Sequence, residues 1–147
     1  MLLLIAGEGP ERGNIEAKIQ ELGIGQEVRL LGHCLESERF LASLDLNILP
    51  SVALETLGYS VVEAMFAGVP SVVSDVGGGK EIVGFSGGGA VVKSGNAQLL
   101  KEAICSYWLN PDRMRQNGLA ARGYALNQLT ARLMADQVLA AYSRIVG

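Results

Sequence analysis

Five short apolar runs, at positions 2–6, 28–31, 44–49, 70–74 and 90–92, alternate with stretches of helical character. Each run is rich in Leu, Ile and Val, lacks polar alternation, and closes on a polar or glycine-containing turn. Such runs predict strands buried on both faces. The intervening helices are predicted over 12–22, ending at Gly23; over 36–43; over 59–67, ending at Gly68; and from near Gly79. Strand and helix in strict alternation require right-handed crossovers, and hence a parallel sheet covered by helices on both faces.

Beyond the fifth run the pattern becomes wholly helical. One helix is predicted over 97–108, Pro111 suits the first position of the next, and Thr130 can cap a third running towards Ile145. Leu133, Val138, Tyr142 and Ile145 give that last helix a face to bury. The expected fold class is therefore α/β, a Rossmann-like parallel sheet with a helical carboxyl-terminal tail. The glycine-rich stretch GFSGGGAVV lies between a helix and a strand, so it is read as a loop and not as a linker.

A chain of 147 residues with 49% hydrophobic residues can bury one good core, and composition predicts one compact unit. The net charge of −3 is uneven: residues 1–63 hold ten acids against four Lys/Arg, and residues 64–147 hold five against eight. No run is basic enough to follow a nucleic-acid backbone, so no nucleic-acid partner is expected. Cys34, Cys105 and the single histidine, His33, form no ligand or disulfide pattern, which suits a reducing, cytoplasmic setting. The apolar run near the amino end is too short for a signal core or a membrane span.

Ligands of open parallel sheets bind beyond the carboxyl ends of the strands. Three segments lie there: GEGPERG after the first strand, PSVALETLGYS after the third and SDVGGGKE after the fourth. The first lacks dinucleotide spacing, because Arg12 stands where the third glycine belongs and Pro10 removes an N–H donor. GGGKE lacks the spacing and hydroxyl of a Walker loop. DLN at 45–47 is the nearest approach to a metal-holding D-x-D and falls within a predicted strand, so no metal and no cofactor are expected.

The second segment holds two carboxylates, Glu55 and Glu63, around a helix start. Backbone N–H groups of Thr56, Leu57, Gly58 and Tyr59 would form an anion site there, reinforced by the helix dipole. Gly58 allows close approach of ligand to backbone. An ionised carboxylate accepts two hydroxyl donors at once, so two of them flanking a diphosphate suit the diols of a sugar nucleotide. The alternative is structural: an acid in the first turns of a helix is stabilising by about 0.3–1 kcal/mol without any ligand.

The succession LLIAGEGP, VRLLGH, LDLNILPS and ETLGYSVVEAMFAGVPSVVSDVGGGKEIV resembles the carboxyl-terminal half of retaining GT-B glycosyltransferases of family four. The resemblance implies half of a GT-B fold that binds a nucleotide-sugar donor, used as substrate with no cofactor. Carried over by position, Glu63 is the ribose-binding glutamate and Glu55 faces the donor hexose. Thr56, Leu57, Gly58 and Tyr59 meet sugar and diphosphate through backbone, and the backbone at Leu31 and Gly32 lies against the base; Gly7 and Gly9 join the donor-binding set. Leu57 stands where the family usually has phenylalanine, and Lys80 where proline or alanine is common. His33, Cys34, Cys105 and Lys80 are read as structural or solvated.

The family's upstream Arg and Lys, which neutralise the leaving diphosphate, have no counterpart among Arg12, Lys18, Arg29 and Arg39. Residues 1–147 are accordingly expected to be a single nucleotide-sugar-binding domain lacking its first strand unit and the acceptor-binding amino-terminal domain. The reading is of a hexosyltransferase part, metal-independent and retaining, inactive alone, with that domain or a partner subunit supplying the acceptor and any peripheral membrane association. An alternative is a catalytically inactive nucleotide-sugar-binding or regulatory subunit.

Overall fold

The computed structural model describes residues 1–53 and 55–146, and it divides into two compact units, Met1–Ser37 and residues 38–147, where composition leads one to expect a single unit. The first unit is a strand–helix–strand motif: β1 (Leu3–Ala6), α1 (Arg12–Leu22) and β2 (Val28–Gly32). The strands are parallel, with Leu3 opposite Val28 and Ile5 opposite Leu30, and a register shift places Ala6 opposite Gly32. Helix α1 ends as its sequence predicts. Gly23, at φ 65°, donates its N–H to the Gln20 carbonyl at 3.1 Å, and Ile24 donates to Ile19 at 3.2 Å. Those two bonds satisfy carbonyls that the helix leaves open.

β1 differs from the fully buried strand that its sequence predicts. Leu3 is 40% exposed and Ala6 is also exposed. A strand is covered on both faces only when layers lie on both, and among the described residues this unit has one helix for its two strands.

All of α2 (Ser37–Ala42) after its first residue belongs to the second unit, and its exit turn returns the Ser43 N–H to the Phe40 carbonyl and the Leu44 N–H to Leu41. That turn consumes the start of the predicted third strand, so β3 is only Asn47–Leu49, and Asp45 lies outside it. Along the chain come α3 (Tyr59–Ala67), β4 (Ser71–Ser74), α4 (Gly79–Ser86), β5 (Gly89–Val92), α5 (Ala97–Trp108), α6 (Pro111–Gln128) and α7 (Ala131–Val146). The three strands are parallel in the order β3-β4-β5, with Asn47 opposite Ser71 and Val73 opposite Val91. All four residues of β4 are buried, as a central strand with no polar alternation requires. β5 is only half-buried: its predicted full burial fails at the sheet edge, where Val91 is 43% exposed.

The bounds of α3 and α5 match their apolar patterns, and for α5 and α6 side-chain caps fix the start. Asn96 accepts the Leu99 N–H and Asn110 accepts the Arg113 N–H, each at 3.0 Å, with Pro111 directly behind the second cap. Thr130 caps α7 through the Leu133 N–H at 3.3 Å. The apolar face expected for α7 is not buried, however: Val138, Tyr142 and Ile145 are exposed among the described residues. Amphipathic spacing sets which face can be buried, and a neighbour is still needed to bury it.

α6 packs on α3 through small residues. Gly118, Ala121 and Ala125 are buried, and the last two join Val61, Met65, Val73, Ile82 and Val83 in the main core. A Cβ on Gly118 would overlap the Gly68 carbonyl oxygen at the end of α3. One turn on, Arg122 donates to the Phe66 carbonyl at 2.8 Å, satisfying another open helix end. Two glycines of α6 should therefore respond oppositely to alanine. At Gly123, where an added Cβ meets nothing within 4 Å, Gly123→Ala should stabilise by up to about 1 kcal/mol through helix propensity. At Gly118 the same gain is outweighed by an overpacking cost of about 1–3 kcal/mol, so Gly118→Ala should lower the urea midpoint. Equal responses in urea unfolding would mean that the close contact between α6 and Gly68 does not constrain the helix pair.

Candidate functional site

In the second unit the carboxyl ends of all three strands open onto loops that bond to one another. After β3, the loop carrying Glu55 leads into α3 through Gly58, which adopts φ 73° and ψ 65°. Gly58 is buried, and a Cβ there would come within 2.9 Å of Leu49 Cδ2, so the turn presses directly on the strand end. Its carbonyl accepts the Val61 N–H at 2.8 Å, but no side chain caps α3. The first N–H groups of the helix are thus left for an external acceptor, with the positive end of the dipole behind them.

Glu55 is half-buried and its Oε2 accepts from Ser51 Oγ at 3.3 Å. Glu63, on the second turn of α3, is also half-buried, and no hydrogen-bond or ionic partner takes its carboxylate among the described residues. Thr56 and Leu57 are exposed and Tyr59 is 73% exposed. Five of the six donor-loop residues read from the sequence therefore reach solvent beside an uncapped helix start, while Gly58 supplies the buried pivot.

The structure adds residues that sequence reading did not single out. Asp75, directly after β4, accepts the Ser94 N–H at 2.8 Å and the Lys93 ammonium at 3.1 Å. Ser94 Oγ in turn donates to the Ser51 carbonyl at 3.3 Å. Asp75, Ser94 and Ser51 so tie together the ends of β4, β5 and β3, and Ser51 reaches Glu55. The signal was a serine-aspartate pair after β4 and a lysine-serine pair after β5; polar residues at strand ends are too common to assign roles from a single sequence. Pro50, Val52, Ser74, Lys93, Asn96 and Leu100 line a cleft of about 260 Å³ at this end of the sheet.

In the first unit, Gly7 at φ 123° donates its N–H to the Gly32 carbonyl at 2.7 Å, where β1 and β2 end. Gly32 is buried at φ 68°, and a Cβ on it would stand 2.6 Å from Glu8 Oε1. Gly7 and Gly9 line a cleft of about 290 Å³ whose β2 wall is Leu30. Leu31 and Gly32 do not line it, and Leu31 is 46% exposed. At its edge Arg12 is held between Glu8 at 3.0 Å and Glu16 at 2.9 Å. His33 is exposed, as are most of the helical arginines. Among the described residues no three His, Cys, Asp or Glu side chains gather as metal ligands, and no helix is long and apolar enough to cross a membrane.

Comparison with known proteins gives this arrangement its context. Residues 1–123 match the model of the glycosyl transferases group 1 family. The fold is that of GT-B glycosyltransferases: over 98% of this chain and 41% of its own, Anabaena HepE, solved in complex with UDP, superposes with a TM-score of 0.91 at 23% identity. Sucrose-phosphate synthase from Thermosynechococcus elongatus matches at 0.85 and 25% identity, over 98% of this chain and 38% of that one. Among curated proteins, the chain is 30% identical to 2-deoxystreptamine glucosyltransferase of Streptomyces kanamyceticus, over 98% of its length and 38% of the relative's. It is 28% identical to phosphatidyl-myo-inositol mannosyltransferase of Mycobacterium leprae, over 97% and 38%. The chain belongs to the glycosyl transferases group 1 family, and it spans about two fifths of the length of these relatives.

The bonds to Asp75 carry a pH signature. The Ser94 N–H and then the Lys93 ammonium hold the Asp75 carboxyl below the ordinary carboxylate range, against a small opposing effect of burial. A depressed folded-state pKa means that the linked stabilisation is present above the unfolded carboxylate value and is lost as pH falls through the folded one. A carbon-detected carboxyl titration should place Asp75 below the value of a free aspartate side chain, and Lys93→Met should raise it only part of the way back, because the Ser94 bond remains. A titration midpoint at the ordinary value would show that the strand-end tie does not persist in solution.

Proposed function

We propose that this chain is the donor-binding part of a glycosyltransferase that moves a hexose from a nucleotide-diphosphate sugar to a hydroxyl acceptor with retention of configuration and without a metal ion. The observation that carries the reading is the uncapped start of α3, flanked by Glu55 and Glu63. The free N–H groups receive the diphosphate, Glu63 accepts the ribose hydroxyls and Glu55 accepts hydroxyls of the hexose. The family membership and the solved likeness to a protein holding UDP support the same assignment.

On this reading the acceptor is supplied by an amino-terminal domain or partner subunit, and Glu55 positions the donor sugar without acting as base or nucleophile. A departing diphosphate needs preorganised cations or donors in the transition state. The 147 residues alone should therefore bind donor and show no sugar transfer; product formation by this polypeptide in the absence of any other would contradict the assignment.

Binding is tested by titrating the chain with UDP, GDP and ADP in parallel and following backbone amides by NMR. One nucleotide should perturb the amides of Thr56 to Glu63. Glu63→Gln should weaken that nucleotide about tenfold or more, because a hydrogen bond to a charged group is worth about 1.5–3 kcal/mol. Glu55→Gln should weaken the sugar nucleotide and leave the bare nucleotide nearly unchanged. If none of the three perturbs these amides at millimolar concentration, the chain is not a donor-binding module by itself.

A further inference from the structure

The turn between β4 and α4 touches the donor loop more closely than any bond to Glu55 itself. Gly77, at φ 67°, lies so near the Glu55 backbone that an added Cβ would overlap the Glu55 carbonyl oxygen and stand 2.9 Å from Glu55 Cβ. The next residue, Gly78, donates its N–H to the Thr56 carbonyl at 2.7 Å, and a Cβ on it would meet that oxygen at 3.0 Å. Gly79, buried as the first residue of α4, would place a Cβ 3.8 Å from the Leu57 carbonyl. Three consecutive glycines thus run along the backbone of three consecutive donor-loop residues. By contrast Ser51, the one side chain bonded to the Glu55 carboxylate among the described residues, bonds at a long 3.3 Å.

We infer that Gly77 and Gly78 are positioning residues for the donor sugar: their lack of side chains sets the depth of the Glu55–Thr56 backbone, and so the reach of the Glu55 carboxylate towards the hexose. The inference rests on the donor-binding reading of this loop. Any side chain at Gly77 must push the Glu55 peptide outward, because the atoms it meets are backbone and cannot rotate away. Such a shift displaces the hexose contact first. The nucleotide end, held by Glu63 within the regular turns of α3, is displaced least.

A control lies at the other end of α4. Gly87 ends that helix at φ 63°, close to the φ of Gly77, and a Cβ there meets nothing within 4 Å. Gly77→Ala and Gly87→Ala therefore both place a side chain at left-handed φ, and they differ in whether the new methyl group strikes the donor loop. Gly78→Ala, at φ −75°, brings a milder contact without left-handed strain.

The test measures affinity for UDP-glucose and for UDP on the 147-residue chain and its three variants by calorimetry. Gly77→Ala should reduce the preference for UDP-glucose over UDP at least fivefold, Gly78→Ala should reduce it less, and Gly87→Ala should leave it unchanged. An unchanged preference in both Gly77→Ala and Gly78→Ala, or an equal loss in Gly87→Ala, overturns the inference. Should Gly77→Ala fail to fold, Gly78→Ala decides alone. Where GDP or ADP binds in place of UDP, the same comparison is made with that nucleotide and its glucose conjugate; absence of binding to all three nucleotides and their glucose conjugates by the unaltered chain would instead remove the donor-binding reading, and the inference with it.

Discussion

The second unit depends on keeping β4 dry. Its four residues are buried, yet Ser71 and Ser74 bring hydroxyls into that interior, and a buried hydroxyl without a partner costs roughly 1–3 kcal/mol. Ser71 meets this by accepting the Asn47 side-chain amide at 3.1 Å, itself buried at the start of β3. On the other side Gly89 begins β5 directly against Ser71, where a Cβ would overlap the Ser71 carbonyl. One polar pair and one missing side chain thus pin both neighbours to the central strand at its first residue. With β3 and β5 fixed there, the carboxyl ends of the three strands fall at nearly the same height, and their loops meet.

At that end of the sheet a chain of ties lets each strand restrain the next. Asp75 holds Ser94, Ser94 holds Ser51, and Ser51 reaches Glu55. The glycine turn after β4 then sets the height of the Glu55 loop from beneath. Substrate-binding loops need little intrinsic stability when a rigid sheet supplies the restraint. The proposed donor loop fits that description: its Gly58 pivot is buried on Leu49, while Thr56, Leu57 and Tyr59 stay exposed.

Much of this was legible in the residues because local and tertiary preferences agree. Gly23 and Gly68 end α1 and α3 where the apolar periodicity stops, and each takes the left-handed conformation that a residue without Cβ adopts most readily. The start of α3 was legible for the same reason, since Gly58 stands directly before the first residue of its apolar pattern. The departures have a common cause in partners far along the chain. Nothing in residues 44–46 says that the exit of α2 will claim them, and nothing in 2–6 says how many layers will cover β1. The Asp75–Ser94 bond joins residues 19 apart, and the glycines at 77 and 78 match no phosphate-loop spacing and carry no assignable role until the backbone of Glu55 and Thr56 is seen against them.

Charge explains why binding and transfer would separate on such a chain. The uncapped end of α3 offers about half a positive charge, enough to favour an anion but short of the charge on a departing diphosphate. Several cations of the second unit are already engaged. Lys93 bonds Asp75, Lys80 donates to the Asp75 carbonyl at 3.3 Å, and Arg122 serves the end of α3. Freeing Lys93 would leave the Asp75 carboxylate to the Ser94 N–H alone. The groups that build the donor loop are thus poorly placed to neutralise the leaving group as well. Under the proposed function, a cation from outside these 147 residues completes the site.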